Sequence, residues 1–331
     1  MIEATNLTKR YGPYTAVSGI SFKVEKGEIV GFLGPNGAGK TTTMRLLTGF
    51  MVPTEGQAIV AGIDVAKHPV EAKRRIGYLP ENPPVYLEMP VRGYLRFVAQ
   101  IKEIPPGDRE SRIDDAMGRV GITSVADKLI GRLSKGYRQR VGLAQAIVHN
   151  PDVVILDEPT IGLDPNQIKE IRKLIHDLAG EHTVMLSTHI LAEVEMTCSR
   201  VIIIDKGKVV AQGSPEELSS KVRGGGEVFV VVRGATGEAE EALSSVKGVE
   251  SVRKEGTFGR GSQAFVVTAA GREDLRENLA KSVVKAGLGL VELRAARLGL
   301  EEVFSELTHV DKAVADASDP AGVHGAPAGE V

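Results

Sequence analysis

Strand-length apolar runs alternate with segments of helical period along the first two thirds of the chain. Residues 153–156 are continuously apolar, as in strands that are covered on both faces. Within residues 90–101 the apolar side chains instead recur at i, i+3, i+4, i+7 and i+8, which predicts a helix with one buried face. Strands that alternate with helices predict an α/β fold with a largely parallel, sandwiched sheet.

The patterning also divides the chain into domains. The pattern over residues 1–222 predicts one α/β domain, with an antiparallel β subdomain near its start and a mainly helical insert at about 85–150. Residues 223–226, Arg-Gly-Gly-Gly, form the clearest linker. The order β-α-β-β-α-β over 227–310 then predicts a small ferredoxin-like α+β domain. Residues 311–331 lack an apolar period, and we expect a disordered tail.

Composition narrows the possible environments. A length of 331 residues favours two or three domains, and the formal net charge of −2 argues against nucleic acid as a partner. The single cysteine, Cys198, excludes a disulfide framework and fits a reducing cytosol. The N-terminus lacks the features of a signal peptide, and the longest apolar runs are strand-sized. If a membrane is involved, we expect another chain to cross it.

The stretch 34–41 reads G-x-x-x-x-G-K-T between a strand-like and a helix-like segment, as a phosphate-binding loop requires. Its glycines let backbone N–H groups point inward, and the next helix adds the positive end of its dipole. Lys40 brings a charge to the β- and γ-phosphates, and Thr41 is placed to ligate Mg²⁺. The residues predicted to bind a nucleoside triphosphate here are Gly34, Asn36, Gly37, Gly39, Lys40, Thr41 and Thr42.

Two acids end the apolar run at 153–156. A buried strand can hold acidic residues only at its end, where a metal ion or water can contact their carboxylates. Asp157 is therefore predicted to hold Mg²⁺ opposite Thr41, directly or through water. Glu158, one residue further, is predicted to polarise the attacking water as general base. The pair predicts hydrolysis of the bound nucleotide in addition to its binding.

Five motifs over about 1–220 occur in the order and spacing of the ATP-binding-cassette (ABC) ATPases, a family that this chain resembles. They are the phosphate loop, LSKGY at 133–137, DEPT at 157–160, GLDP at 162–165 and STH at 187–189. The resemblance implies a P-loop NTPase cassette that binds ATP. It implies that Tyr11 stacks on adenine and that His189 senses the γ-phosphate and orients the water. It also implies that Ser134 and Gly136 close on the γ-phosphate of a second subunit, which Asp164 contacts.

Two departures from the family pattern point to one branch of it. Lys135 and Tyr137 replace a glycine and a glutamine of the common LSGGQ signature. Glu81 stands where the family usually carries a glutamine that touches Mg²⁺; it can accept or ligate but cannot donate as an amide does. Both variants, and LGLEEVF at 298–304, resemble the cassettes that serve ABC-2 type exporter permeases.

Three functions remain open from the sequence. The first is an ATPase subunit that dimerises with ATP and energises a separate ABC-2 permease, peripheral on the inner face of the cell membrane. Residues 85–87, Val-Tyr-Leu, would then line the groove for the permease, or else be a plain hydrophobic plug. The second is a soluble ABC ATPase acting on ribosomes or DNA, which the single phosphate loop and the lack of a basic patch disfavour. The third is an ATP-binding regulatory module without turnover, against which Glu158 and His189 argue.

Overall fold

The computed structural model describes residues 1–222, 227–259, 261–271, 274–295 and 304. The predicted linker at 223–226, the predicted tail at 311–331 and all of the 298–304 segment except Phe304 lie outside these residues. The chain divides into two compact units, Met1–Pro215 and Glu216–Val331.

The first unit alternates strands and helices. Its strands are β1 (Ile2–Tyr11), β2 (Tyr14–Val24), β3 (Ile29–Leu33), β4 (Glu55–Val60), β5 (Ile63–Asp64), β6 (Ile76–Leu79), β7 (Val153–Asp157), β8 (Thr183–Thr188), β9 (Arg200–Asp205) and β10 (Lys208–Gly213). Its helices are α1 (Lys40–Leu47), α2 (Pro69–Arg75), α3 (Val91–Ile101), α4 (Arg109–Arg119), α5 (Lys135–Ile147), α6 (Pro165–Asp177) and α7 (Leu191–Thr197), and α8 (Pro215–Val222) begins at the boundary.

Two sheets build this unit. An antiparallel sheet has the order β2-β1-β4-β5, and a six-stranded sheet has the order β10-β9-β3-β8-β7-β6. In the second sheet all neighbours are parallel except β10 and β9, which form the predicted hairpin. Strands β3, β7 and β8 are buried along their whole length, as their continuous apolar character requires. The predicted α/β fold with a mixed, largely parallel sheet is confirmed.

One apolar core lies between the two sheets and includes α1. Phe22 of β2 meets Phe32 of β3 with ring centroids 5.7 Å apart, and Met44 of α1 belongs to the same buried cluster. Because β3 and α1 both pack into this core, the strand before the phosphate loop and the helix after it are held in fixed positions relative to each other.

The inserted segment carries three helices that pack on one another. Helix α3 buries the five residues predicted from its periodicity, Val91, Tyr94, Leu95, Val98 and Ala99. Helix α5 starts at the N-cap Ser134, whose side chain accepts a hydrogen bond from the backbone N–H of Tyr137. Helix α4 lies between them in sequence and contacts both.

Strand β4 packs closely against β1 at its second residue. Gly56 adopts a φ of 81° beside a bulge of β1 at Asn6. An added Cβ at Gly56 would lie 2.2 Å from the Asn6 carbonyl oxygen, so only glycine fits there. Residues 69–75 form helix α2, and Pro69 occupies its first turn.

The second unit has the predicted β-α-β-β-α-β order. Its elements are β11 (Glu227–Arg233), α9 (Thr236–Ser244), β12 (Val249–Phe258), β13 (Ser262–Ala269), α10 (Arg276–Lys285) and β14 (Gly289–Ala295). The strands form an antiparallel sheet of order β12-β13-β11-β14. Its apolar core joins Val230 and Phe265 of the sheet to Leu243 and Leu279 of the helices.

No helix within the described ranges combines the length and the apolar character that crossing a membrane demands.

Close packing of α5 on β6 yields a stability prediction. An added Cβ at Gly77 of β6 would lie 2.1 Å from the carbonyl oxygen of Ala146 in α5. Because neither backbone can yield cheaply, we expect Gly77→Ala to destabilise the protein by about 1–3 kcal/mol. Urea unfolding followed by circular dichroism measures this.

Gly118→Ala is the matched control. Gly118 lies inside α4, where an added Cβ meets no atom of the described residues within 4 Å, and alanine favours a helix over glycine by about 0.5–1 kcal/mol. Equal stabilities of the two variants would contradict the close approach of α5 and β6.

Candidate functional site

The carboxyl ends of four parallel strands gather the predicted residues at one sheet edge. Leu33 pairs in register with Thr188, Asp157 with Ser187, and Leu79 with Leu156. The phosphate loop follows β3, Glu158 follows β7, His189 follows β8 and Glu81 follows β6. Ligands of open α/β sheets bind at this edge.

The phosphate loop is shaped by its glycines. Gly37 and Gly39 have φ values of 81° and 102°, and Gly39 is the N-cap of α1. An added Cβ at Gly34 would lie 2.4 Å from the carbonyl oxygen of Ile204, so β9 packs directly against the loop. Asn36 and Gly37 are exposed, and Thr42 is half-buried in the first turn of α1. The loop thus leaves the amino end of α1 open to a ligand.

Lys40 is almost fully buried at this end. Its Nζ donates to the carbonyl oxygen of Gly34 at 2.8 Å and lies 3.3 Å from Glu158 Oε1. The side chains of Lys40 and Glu158 are 6% and 7% exposed. A buried charge needs a partner, and here each supplies one for the other. The ion pair holds together the two residues predicted to bind phosphate and to activate water.

Asp157 is joined to the loop and to β8 through one carboxylate oxygen. Oδ1 accepts from Thr41 Oγ1 at 3.4 Å and from Ser187 Oγ. Oδ2 is buried and has no hydrogen-bond partner among the described residues. Burial raises the pKa of Asp157, the charges of Glu158 and Glu81 add to the rise, and the bonds from Ser187 and Thr41 oppose it.

An oxygen that is buried, unpaired and carboxylic is a donor of the kind that Mg²⁺ prefers. Together with the Thr41 hydroxyl it fits such an ion at the predicted position. Within the described residues, no group of three or more His, Cys, Asp or Glu side chains is placed to hold a metal. The remaining ligands would therefore be phosphate oxygens and water.

Glu158 is held on its other side by His189. His189 Nδ1 lies 2.9 Å from Glu158 Oε2, and because a carboxylate only accepts, Nδ1 carries the proton that it donates. The backbone N–H of Glu158 donates to the carbonyl and hydroxyl oxygens of Ser187. The φ of Glu158, 49°, is uncommon for a residue with a Cβ and is maintained by these contacts.

A second group of predicted residues lies at the starts of α5 and α6. Ser134 is the exposed N-cap of α5, and Asp164 is the N-cap of α6, accepting from the backbone N–H groups of Asn166 and Gln167. Gly136 is buried, and an added Cβ there would lie 2.8 Å from the side chain of Gln167. The group therefore presents the amino ends of two helices, with an exposed hydroxyl on α5 and an exposed carboxylate on α6.

Tyr11, which the resemblance implies to stack on adenine, is the last residue of β1. Its hydroxyl contacts Met51 Sδ at 3.1 Å, and Lys9 Nζ lies 5.6 Å from its ring centroid. The ring is 44% exposed, which leaves surface for stacking. The β1–β2 hairpin reaches the phosphate loop at Ala16, whose carbonyl oxygen would meet a Cβ on Gly39 at 2.5 Å.

Glu81 is exposed in the loop after β6, and its charge contributes to the raised pKa of Asp157. Sequence reasoning missed Ser187, which connects Asp157 to the backbone of Glu158. Its position directly before Thr188-His189, on the strand neighbouring β7, was the available signal.

Comparisons with known proteins identify a shared family and fold. A family model described as ABC transporter matches residues 17–161. The chain is similar to the bacitracin transport ATP-binding protein BcrA of Bacillus licheniformis, with 42% identity over 225 residues, 67% of this chain and 72% of that protein. It is similar along more of its length to the linearmycin resistance ATP-binding protein LnrL of Bacillus subtilis (strain 168), with 32% identity over 311 residues, 93% of this chain and 98% of that protein.

A solved structure of an ATP-binding subunit of an ABC transporter superposes with a TM-score of 0.62. The two chains are 29% identical, and the match covers 67% of this chain and 93% of the other. The similarity confirms the predicted cassette fold.

The buried charge of Asp157 yields a prediction on pH. Its folded-state pKa lies above the ordinary value of 3.8, so the folded protein binds this proton more tightly than the unfolded chain. Stability contributed by Asp157 is therefore lost as the pH rises through the raised pKa. Without nucleotide or divalent cation, we expect Asp157→Asn to be more stable than the wild type at pH 7.5, with a difference that shrinks towards pH 3.8.

Thermal unfolding over this pH range measures the effect, with Asp177→Asn as the control because Asp177 is exposed. A less stable Asp157→Asn protein at pH 7.5 would contradict the desolvated state of this carboxylate.

Proposed function

The chain belongs to the ATP-binding proteins of ABC transporters, and we propose that its ATPase activity energises an exporter of the ABC-2 type through a separate membrane permease. The observation that carries the catalytic part is the line Lys40–Glu158–His189, with separations of 3.3 Å and 2.9 Å at the phosphate loop. The similarity to BcrA, a bacitracin transport protein, and to LnrL, a linearmycin resistance protein, supports export. The protein would then lie on the inner face of the cell membrane, held there by the permease.

ATP binding follows from the residues at the loop. The backbone of 34–41 and the amino end of α1 surround the phosphates, and Tyr11 stacks on the adenine ring. Thr41 and Asp157 would hold Mg²⁺, with Glu81 near enough to join through water. When bound, Mg²⁺ neutralises charge on the β- and γ-phosphates.

Lys40 links binding to catalysis. Its ammonium is shared between the Gly34 carbonyl and Glu158, and phosphate oxygens compete for it more strongly than a carbonyl does. When Lys40 turns to the phosphates, Glu158 is free to accept a proton from water. The water oxygen then forms a bond to the γ-phosphorus, and the bond to the β–γ bridging oxygen breaks. His189 keeps Glu158 aligned by donating from Nδ1.

A second copy of the chain completes the site. The amino end of α5, with the Ser134 hydroxyl and the Gly136 backbone, is an anion-binding surface. It would close on the γ-phosphate of the partner, while Asp164 contacts that partner. ATP would thus join two chains, and hydrolysis would separate them.

Glu158→Gln tests this mechanism. Glutamine keeps the shape but cannot take a proton, so we expect ATP hydrolysis to fall by at least about 100-fold. With saturating ATP and Mg²⁺, light scattering should show a dimer. Glu250→Gln, the same change at an exposed position of β12, should hydrolyse like the wild type. Unchanged turnover in Glu158→Gln, or a monomer with ATP, would contradict the proposal.

The permease would dock beside α3. Tyr86 and Leu87 are exposed, and the Tyr86 ring contacts those of Tyr94 and Phe97 at 6.1 and 5.5 Å between centroids. Phe97 and Ile101 extend this exposed apolar surface along α3. An apolar surface of this kind, at the loop that follows Glu81, fits a helix of a membrane partner.

Leu87→Glu tests the docking surface. We expect the charge to reduce recovery of a polytopic membrane protein with the tagged chain by about tenfold, without changing ATP hydrolysis by the isolated chain. Val284→Glu, at an exposed apolar residue of α10, is the control. Equal recovery with both variants, as measured by mass spectrometry of cross-linked membranes, would rule out this surface.

A further inference from the structure

We propose that Glu193 is a positioning residue for ATP hydrolysis and that it holds His189 in place through Thr188. The inference rests on the proposed role of His189 beside Glu158. The observation behind it is the buried carboxylate of Glu193. It lies one helical turn after His189 and accepts a hydrogen bond from the side chain of Thr188, which precedes His189.

The hydroxyl of Thr188 makes two hydrogen bonds around His189. It accepts from the backbone N–H of Ile190 at 3.0 Å and donates to Glu193 Oε2 at 3.0 Å. Thr188 is fully buried, and Glu193 is 3% exposed. The residues on both sides of His189 are thereby tied to one carboxylate.

Glu193 stands on a helix that is fixed to the strand of the phosphate loop. Helix α7 crosses β3 at Gly31, where an added Cβ would lie 2.8 Å from Val194 and 3.1 Å from the sulfur of Cys198. The absence of a side chain at Gly31 lets α7 approach closely. A chain of contacts therefore fixes the position of His189 relative to the strand that leads into the loop. It runs from Gly31 through Val194 and Glu193 to Thr188.

The cost of this carboxylate argues that it serves a purpose beyond packing. Among the residues that the structure describes, the buried Glu193 Oε1 has no hydrogen-bond partner, so only one of the two carboxyl oxygens is satisfied. An apolar residue on α7 would pack against β3 without that penalty. The oxygen that is bonded acts on the turn that carries His189, which identifies the function served.

His189 is thus held at two points. Its ring meets Glu158 Oε2 at 2.9 Å, and the backbone that follows it, at Ile190, is held by the Thr188 hydroxyl. Loss of the second contact lets the ring drift from Glu158 without touching Lys40 or Tyr11. The expected signature is therefore a lower kcat for ATP hydrolysis with an unchanged KM for ATP.

Thr188→Val and Thr188→Ser form the matched test. Valine keeps the shape and loses the hydroxyl, and serine keeps the hydroxyl. We expect Thr188→Val to lower kcat roughly three- to tenfold and Thr188→Ser to stay within about twofold of the wild type. Glu193→Gln, which retains an acceptor for Thr188, should behave like Thr188→Ser, whereas Glu193→Ala should behave like Thr188→Val.

A double-mutant cycle separates positioning from general loss of structure. In a His189→Ala background, Thr188→Val should have no further effect on kcat, because the residue that it positions is gone. Proton NMR should show a shifted His189 ring signal in Thr188→Val, assigned by its absence in His189→Ala, with the other histidines unmoved. Additive effects, or an unmoved His189 signal, would overturn the inference while leaving the proposed function intact. Wild-type turnover in His189→Ala alone would overturn the role of His189 and this inference together.

Discussion

The parallel register of β3, β8 and β7 is the constraint on which the site depends. These strands are buried throughout, so a slip of one residue would turn their side chains to the opposite face of the sheet. The register places Asp157 beside Ser187 and ends β3 beside Thr188. Distances of about 3 Å between Lys40, Glu158 and His189 follow from a pairing that the apolar interiors of the strands enforce.

The site combines groups that are individually unfavourable in a protein interior. Within the described part of the chain, Asp157 and Glu193 each have one buried oxygen without a hydrogen-bond partner, and Glu158 has a left-handed backbone. Each is tolerated because the surrounding strands and α7 leave no room for relaxation. Buried charge of this kind is available to a bound ligand, whereas surface charge would already be satisfied by water.

Much of this arrangement could be predicted from the sequence because its signals are local. The phosphate loop, the acids after 153–156 and the apolar face of α3 each lie within a dozen residues. The missed features join distant positions: Ser187 acts on Asp157 thirty residues away, and Gly56 fits only because of the bulge at Asn6. The Lys40–Glu158 ion pair likewise required the strand order, which no single segment specifies. Gly12-Pro13 marks a turn in the sequence, but the pairing of Tyr11 with Tyr14 across it depends on the geometry of both strands.

The contact between Gly136 and Gln167 has a consequence for what a substitution at this glycine would do. Within one subunit, the space left by the missing side chain of Gly136 is occupied by the end of the Gln167 side chain of α6. That end is flexible, so an added Cβ would displace it without moving the backbone of either helix. The fold of the monomer therefore tolerates a larger residue here, and protein with a substituted Gly136 would accumulate normally. Any loss of function would appear in turnover and not in protein abundance.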